Sequence, residues 1–126
     1  MTYVWIAIGS ALGGVGRYAM SGLSARYFGE NFPWGTFAVN VSGSLAIGVL
    51  AALLPAEARP GADQARAFLM IGICGGFTTF SSFSLETLNL ARNGDWPAAA
   101  GYTLGSVVLC LAAVCLGYFG TLALSR

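Results

Sequence analysis

The sequence predicts an all-α integral membrane protein with four transmembrane helices, from its composition, its hydropathy and its pattern of apolar runs. Of the 126 residues, 56% are hydrophobic and 9% are charged, whereas a soluble domain carries roughly 25% charged residues. Mean hydropathy is +0.72. Crossing a bilayer takes about 20 helical residues, and four runs are long enough: 3–25, 36–54, 67–91 and 98–124. We therefore expect residues 1–126 to form a single transmembrane domain.

The first predicted helix contains one charge, Arg17, in a glycine-rich segment. A charged side chain inside a bilayer is costly unless it is paired, hydrated or able to reach the interface. Arg17 therefore either draws anions into a vestibule or extends its long side chain to the membrane surface. We favour the first role, because the neighbouring glycines allow other backbones or water to approach closely.

A polar stripe runs along the second predicted helix. Thr36, Asn40 and Ser44 follow one another at intervals of four and so share one helix face. An amide in the middle of a span needs hydrogen-bond partners. Asn40 therefore either joins two helices or faces a pore, and the stripe alone does not decide between these roles.

The third run contains the segment least suited to a continuous helix. Gly75 and Gly76 each weaken a helix by about 1 kcal/mol relative to alanine. Hydroxyl and aromatic residues then alternate: Thr78, Thr79, Phe80, Ser81, Ser82, Phe83 and Ser84. Irregular backbone at membrane depth is tolerated only where it is buried in protein or lines a wet cavity. We therefore expect this helix to break and the residues after the glycines to form a site.

The fourth predicted helix repeats the four-residue polar spacing at Tyr102, Ser106 and Cys110. This is a second candidate polar track, although serine is common in membrane helices and a thiol is a weak donor. Cys74 and Cys115 also lie inside apolar runs. The cysteines therefore indicate buried packing residues rather than disulfides or zinc ligands.

The groups along these helices favour an anion as the ligand. They offer an amide, hydroxyls and a guanidinium, with Glu86 as the only carboxylate near a span, whereas cation pathways usually carry acidic rings. Aromatic rings have positive edges, so Phe80 and Phe83 are suited to contact a small anion without binding it tightly. The chain has no histidine, paired carboxylates or Cys/His metal set. We therefore do not expect an enzyme.

The arginines give the chain only a weak preferred orientation in the membrane. Four spans place Arg59, Arg66 and Arg126 on one side and Arg26 and Arg92 on the other, a small bias under the positive-inside rule. We expect dual topology, in which opposed copies pair as an antiparallel homodimer; a single orientation is the alternative. Small residues four apart favour close contacts within and between subunits: Gly9/Gly13, Ser44/Gly48, Gly72/Gly76 and Gly101/Gly105.

Three motifs, in this order along the chain, closely resemble the Fluc/CrcB fluoride channel family. They are Gly13-Gly14-Val15-Gly16-Arg17-Tyr18, then residues 35–43 (Gly-Thr-Phe-Ala-Val-Asn-Val-Ser-Gly), then residues 75–84 (Gly-Gly-Phe-Thr-Thr-Phe-Ser-Ser-Phe-Ser). The resemblance covers essentially the whole chain. It implies an antiparallel homodimer with two fluoride pores and a central structural sodium ion, Na+. It also implies passive export of fluoride across the cytoplasmic (inner) membrane of a bacterium.

The resemblance also implies roles for particular residues. Phe80 and Phe83 match the phenylalanine box of the family, Asn40 its pore amide, and Gly75 and Thr78 the positions whose backbone carbonyls bind sodium. Arg17 matches the motif arginine at the vestibule. Pore-associated groups of the family fall at Ser81, Glu86, Tyr102 and Ser106. The fourth helix departs from the family pattern, because a track often made of serine and threonine continues here as Cys110 and Val114.

Two other functions remain as alternatives. A small multidrug-resistance-type proton-coupled exporter is also a four-helix, dual-topology dimer. Such exporters rely on a glutamate in the first helix, where this chain has Arg17, so Glu86 would have to substitute. A subunit of a larger assembly that transports nothing itself is the third class.

Overall fold

The predicted spans are helical, and the third is broken into two segments. The computed structural model describes residues 1–57 and 60–126, so Arg59, which enters the predicted charge balance, lies outside the described residues. Helices α1 (Thr2–Phe28) and α2 (Trp34–Leu53) are followed by α3 (62–77), α4 (Phe80–Arg92) and α5 (Trp96–Leu124). Within α3 the turns widen to a π-helix over Ala67–Cys74. No strand occurs in the described ranges.

The helices are somewhat longer than the apolar runs that predicted them, because helical hydrogen bonding continues into the polar connectors. Three stretches in the described ranges are long and apolar enough to cross a membrane: Trp34–Leu53, Ala62–Arg92 and Trp96–Leu124. Helix α1 has 27 residues, which is also enough length, but its glycines, serines and Arg17 make it less apolar. Gly29 and Gly94, with φ of 82° and 83°, lie in the connectors after α1 and before α5, where the left-handed backbone suits glycine.

Small residues hold the helices together in two close pairs, α1 with α3 and α2 with α5. A Cβ on Gly9 would lie 2.9 Å from Gly72 Cα, and one on Gly76 would lie 2.9 Å from Ser10 Cα. In the other pair, a Cβ on Gly48 would lie 3.0 Å from the Tyr118 backbone nitrogen. Any larger side chain at these positions would force the helices apart. Three of the four predicted small-residue pairs therefore contribute to packing within the chain.

Aromatic packing joins α4 to α5. Phe83, Leu90, Ala99 and Tyr102 form a buried cluster between the two helices. The Phe83 and Tyr102 rings have centroids 5.0 Å apart. Because Tyr102 is fully buried, this cluster fixes how α4 and α5 face each other and so positions the residues described next.

Candidate functional site

The third span breaks at two residues with extended backbone. Thr78 has φ −87° and ψ 158°, and Thr79 has φ −154° and ψ 115°. Thr78 Oγ1 donates a hydrogen bond to the Cys74 carbonyl (2.9 Å), while Thr79 Oγ1 caps α4 by accepting from the Ser82 N–H (3.1 Å). Hydroxyls thus stabilise the end of α3 and the start of α4. The prediction of a broken third helix is confirmed.

Asn40 holds the break to α2. Its Nδ2 donates to the Thr79 carbonyl (3.1 Å), and its Oδ1 accepts from the Thr79 N–H (2.8 Å). One amide therefore satisfies both backbone groups of a residue that has left the helix. The same side chain also lines a cavity between the break, α2 and α5, which is described below. Asn40 therefore joins two helices, which is one of the two roles left open by the sequence, and it also borders a cavity.

Arg17 supplies a hydrogen-bond donor at the end of α3. Its Nε donates to the Gly76 carbonyl (3.1 Å), in the last turn before the break. A cation is also favourable near the C-terminus of a helix, where the helix dipole is negative. Arg17 and Glu86 border one cavity of about 310 Å³. The guanidinium therefore stabilises the break and borders a polar space.

Two backbone carbonyls at the break have lost their helical donors. In a continuous helix the Thr79 N–H would donate to the Gly75 carbonyl, and the Ser82 N–H to the Thr78 carbonyl. Here the first N–H donates to Asn40 Oδ1 and the second to Thr79 Oγ1. Gly75 and Thr78, the predicted sodium ligands, therefore present carbonyl oxygens that the helix itself does not satisfy.

One cavity lies between the break, α2 and α5. We refer to it as the main cavity; its volume is about 320 Å³. It brings together six of the ten predicted site residues, although Ser81, Tyr102, Glu86 and Arg17 do not line it. The wall consists of Asn40, Gly43, Ser44, Ile47, Cys74, Gly75, Thr78, Thr79, Phe80, Phe83, Ser106, Val107 and Cys110.

Ser106 contributes an unmatched polar atom to the main cavity. The residue is 5% exposed, and its Oγ has no hydrogen-bond partner among the residues that the structure describes. A buried hydroxyl without a partner costs about 1–3 kcal/mol. Such a group in a native protein calls for an explanation, and a water, an ion or another ligand bound beside it is one.

Phe80 and Phe83 lie side by side but in different surroundings. Their ring centroids are 5.4 Å apart, with the planes tilted by 48°. Phe83 is 8% exposed and packs in the core, whereas Phe80 is 77% exposed in the single chain. Both rings reach the main cavity, so the predicted aromatic pair is present, with one ring anchored and the other open on the surface.

Glu86 is the centre of a separate polar group. Its Oε1 accepts a hydrogen bond from Thr36 Oγ1 (2.6 Å), and its Oε2 accepts from the Tyr102 hydroxyl (3.3 Å). The carboxylate is half-buried and borders two cavities, each of about 310 Å³. Ser81 is exposed, with its Oγ 3.3 Å from Thr79 Oγ1. Tyr102 thus serves the Glu86 group rather than the main cavity.

Sequence reasoning missed two features of the site. Thr79 forms the break through its extended backbone, and its hydroxyl caps α4. Threonine directly before a helical segment is a recognised N-cap signal, so the sequence did contain an indication of this role. The contact of Thr36 with Glu86 joins residues 50 positions apart. Spacing within one helix gives no indication of such a long-range pair.

Comparison with known proteins finds similar sequences over nearly the whole chain. The family model for "CrcB-like protein, Camphor Resistance (CrcB)" matches residues 4–118. The fluoride-specific ion channel FluC of Opitutus terrae is 57% identical over 125 residues, which cover 98% of this chain and 94% of the relative. The proteins of the same name from Methylocella silvestris and Paramagnetospirillum magneticum are 53% and 50% identical, over 100% of this chain and over 97% and 99% of the relatives.

These matches test the predicted resemblance directly. They extend over nearly the full length of the chain and include the segments around Asn40, the break and Ser106. The relatives carry the name of an ion channel and not of an enzyme, which confirms that catalysis is not the function to seek here. The family model and the long alignments together show that this chain belongs to the CrcB family.

Proposed function

We propose that this protein is a fluoride-selective channel through which fluoride leaves the cytoplasm passively. The observation that carries the proposal is the buried hydroxyl of Ser106, which faces the main cavity and has no hydrogen-bond partner among the described residues. Fluoride gives up strong hydration on entering a membrane, so hydrogen-bond donors must replace its water. Ser106 offers such a donor beside the Phe80 and Phe83 rings, whose positive edges favour an anion. The names of the relatives support fluoride as that anion.

The proposed channel works without proton coupling. The side chains that line the main cavity include amide, hydroxyl, thiol and aromatic groups, and among the described residues none of them is a carboxylate. Glu86 lies outside this cavity and already accepts two hydrogen bonds. A proton-coupled multidrug exporter requires an accessible carboxylate in the path, so the site gives that alternative no support.

The proposed assembly is an antiparallel homodimer with two pores in the bacterial cytoplasmic (inner) membrane. Ser81, Ser84 and Gly75 are exposed in the single chain, and Phe80 is 77% exposed. Irregular, hydroxyl-rich backbone cannot face lipid at membrane depth, so a second copy is the natural cover, and two-fold symmetry then gives two equivalent paths. Light scattering of purified protein should give the mass of a dimer; a monomer that transports fluoride would contradict this part.

The proposed sodium ion is bound by the carbonyls of Gly75 and Thr78 at the centre of the dimer. Sodium prefers oxygen ligands, and unwound helices in membrane proteins supply backbone carbonyls to such ions. The two carbonyls have lost their helical donors to Asn40 and to the Thr79 hydroxyl, so they suit this role. The ion would supply positive charge between the two copies and hold the two breaks together.

Liposomes that contain purified protein test the proposed function. With a potassium gradient and an ionophore to carry the counter-charge, external fluoride should rise within seconds, whereas chloride efflux should be at least 100-fold slower. Equal rates for the two anions, or no fluoride efflux above that of empty liposomes, would overturn the proposal.

Phe80→Ile tests the role of the exposed aromatic ring in the same assay. Because Phe80 is 77% exposed in the single chain, the change should leave the fold of the protomer intact while removing the ring edge from the main cavity. We expect fluoride efflux to fall to the level of empty liposomes, with an unchanged elution volume in gel filtration. Phe119→Ile, at a ring 63% exposed on α5 and outside the main cavity, is the control.

The sodium proposal has its own measurement. Protein purified without sodium should lose channel activity, and sodium but not potassium should restore it. Isothermal calorimetry should then detect one sodium ion per dimer. Full activity after exhaustive sodium removal would contradict the proposed ion while leaving the fluoride channel itself intact.

A further inference from the structure

Three cavities follow one another from the connector after α1 to the middle of α5. The first, which we call the connector cavity, has a volume of about 310 Å³ and is bordered by Glu30, Trp34 and Asn89. The second, the Arg17 cavity, also has a volume of about 310 Å³ and is bordered by Arg17 and Ser82. The third is the main cavity. The series leads from one end of the helices to the break.

Neighbouring cavities in this series share lining residues. The connector cavity and the Arg17 cavity have three in common: Ser21, Thr36 and Glu86. The Arg17 cavity and the main cavity have one in common among the residues that the structure describes, Thr79. Within the same ranges, the connector cavity and the main cavity have none in common. An ion that moves along the series to the main cavity therefore passes Thr79.

Hydrogen bonds fix the position of Thr79. Asn40 bonds to both of its backbone groups, at 3.1 Å for the carbonyl and 2.8 Å for the N–H. Its Oγ1 accepts from the Ser82 N–H (3.1 Å) and lies 3.3 Å from Ser81 Oγ. A shift of this backbone would leave the two groups unpaired, which is costly. The opening between the two cavities therefore depends mainly on the size of the Thr79 side chain.

The surroundings of an ion change on passing Thr79. On one side lies the Arg17 guanidinium, which has five N–H donors; the Gly76 carbonyl accepts from its Nε. On the other side, Phe80 and Phe83 border the main cavity, and their rings replace polar groups. An anion loses water as it moves from a polar to a more apolar space. The passage between the two is therefore where its size matters most.

We infer that Thr79 forms the constriction between the Arg17 cavity and the main cavity, and that the size of its side chain limits the passage of an anion. The identity of this anion as fluoride rests on the proposed function. The role is separate from the N-cap of α4, because the cap needs only the hydroxyl oxygen, whereas the constriction depends on the volume of the whole side chain.

Thr79→Val and Thr79→Ile separate the volume of the side chain from its hydroxyl. Both variants are β-branched like threonine and both lose the cap of α4, but isoleucine is one carbon larger than valine. Fluoride efflux from liposomes should be at least tenfold lower with isoleucine than with valine. A residue that acts only as a helix cap would give equal efflux in the two variants, and that result would overturn the inference.

Thr87 provides the matched control on the same helix. It is half-buried on α4, its Oγ1 donates to the Phe83 carbonyl (2.8 Å), and it borders none of the three cavities. Thr87→Val and Thr87→Ile should give efflux within twofold of each other. Gel filtration of every variant gives the amount of folded protein to which efflux is normalised, so a variant that folds poorly does not count as a blocked one.

Thr79→Ser tests the opposite change, because serine keeps a capping hydroxyl and lacks the methyl group. Chloride is larger than fluoride, so the chloride efflux of this variant, relative to its fluoride efflux, should rise at least fivefold over that of the original protein. An unchanged ratio would contradict the proposed constriction.

Crystals soaked in bromide test the constriction without transport, because the anomalous scattering of bromide locates it. Bromide should occupy only the Arg17 cavity in the original protein, and the Arg17 cavity and the main cavity in Thr79→Ser. The same bromide pattern in the two proteins would overturn the inference. A protein with the expected patterns that transports no fluoride overturns the proposed function and leaves the constriction standing. Fluoride efflux that is equal in Thr79→Val and Thr79→Ile overturns only the constriction.

Discussion

Buried polar groups at the break between α3 and α4 have hydrogen-bond partners, whereas one in the middle of α5 has none among the described residues. At the break, the Thr79 N–H and carbonyl are both bonded to Asn40, and Arg17 serves the Gly76 carbonyl. On α5, the Ser106 hydroxyl is buried with no partner among the described residues. Groups that hold the fold together are matched by other helices, while the unmatched group faces a cavity.

This difference distinguishes polar groups that hold the fold of a membrane protein together from polar groups that are left free to bind something else. Inside a bilayer an unpaired backbone group cannot hydrogen-bond to water. Irregular backbone is therefore stable there only where side chains from neighbouring helices donate to or accept from it. A hydroxyl without a partner at the same depth costs stability, so it needs an explanation, of which a bound water or ion is one. The Glu86 group lies between these cases, because its carboxylate accepts two hydrogen bonds and still borders two cavities.

Asn40→Ala should have the largest effect on stability. It would leave the N–H and the carbonyl of Thr79 without partners, at about 1–3 kcal/mol for each group, or roughly 2–6 kcal/mol in total. We expect the free energy of unfolding to fall by this amount and fluoride efflux to be lost with it. Unfolding in increasing fractions of dodecyl sulfate, followed by tryptophan fluorescence, measures the change.

Asn89→Ala is the matched control for the amide. Asn89 is exposed on α4, so its loss should change the free energy of unfolding by less than about 0.5 kcal/mol. If Asn40→Ala were as stable as this control, the amide would not hold the break, and the contrast with Ser106 would disappear.

The fold could be predicted from the sequence to a large extent, because its main features are local. The apolar runs determined which segments are helical, and Gly75-Gly76 followed by hydroxyls indicated the break. The sequence did not show that the break lies at Thr78 and Thr79, since the position of a break depends on which hydroxyls cap the two helix ends.

The site was predictable as a set of residues but not as an arrangement. Spacing placed Tyr102 and Ser106 on one face of α5, and they do share it, yet Tyr102 donates to Glu86 while Ser106 faces the main cavity. That division depends on how α4 and α5 pack through Phe83. Long-range contacts of this kind leave no periodic signal in one sequence.

Ser106→Ala should lower transport without lowering stability. Removing the only hydroxyl of α5 that lines the main cavity should lower fluoride efflux about tenfold, equivalent to about 1.4 kcal/mol. The free energy of unfolding should stay the same or rise by about 1 kcal/mol, because an unsatisfied buried group is removed. Initial efflux rates and the unfolding titration described for Asn40 give the two values.

Ser42→Ala is the matched control for the hydroxyl. Ser42 Oγ already donates to the Ala38 carbonyl of its own helix (2.6 Å), so the change should leave efflux within twofold of the original protein. A Ser106→Ala protein that is less stable than the original, with normal efflux, would show that Ser106 has a structural partner after all.

Tyr102→Phe should have the smallest effect and tests the intermediate case. The change removes a single long hydrogen bond to Glu86 (3.3 Å) and keeps the buried ring in its contact with Phe83. Because Thr36 still donates to the carboxylate (2.6 Å), we expect a loss of about 1 kcal/mol in the free energy of unfolding and a two- to fivefold lower efflux. Tyr118→Phe, at a ring 37% exposed on the same helix, should change neither. A loss of efflux as complete as that of Asn40→Ala would show that the Glu86 group is part of the fluoride path. No change in efflux or in the free energy of unfolding would show that the hydrogen bond from Tyr102 to Glu86 contributes to neither.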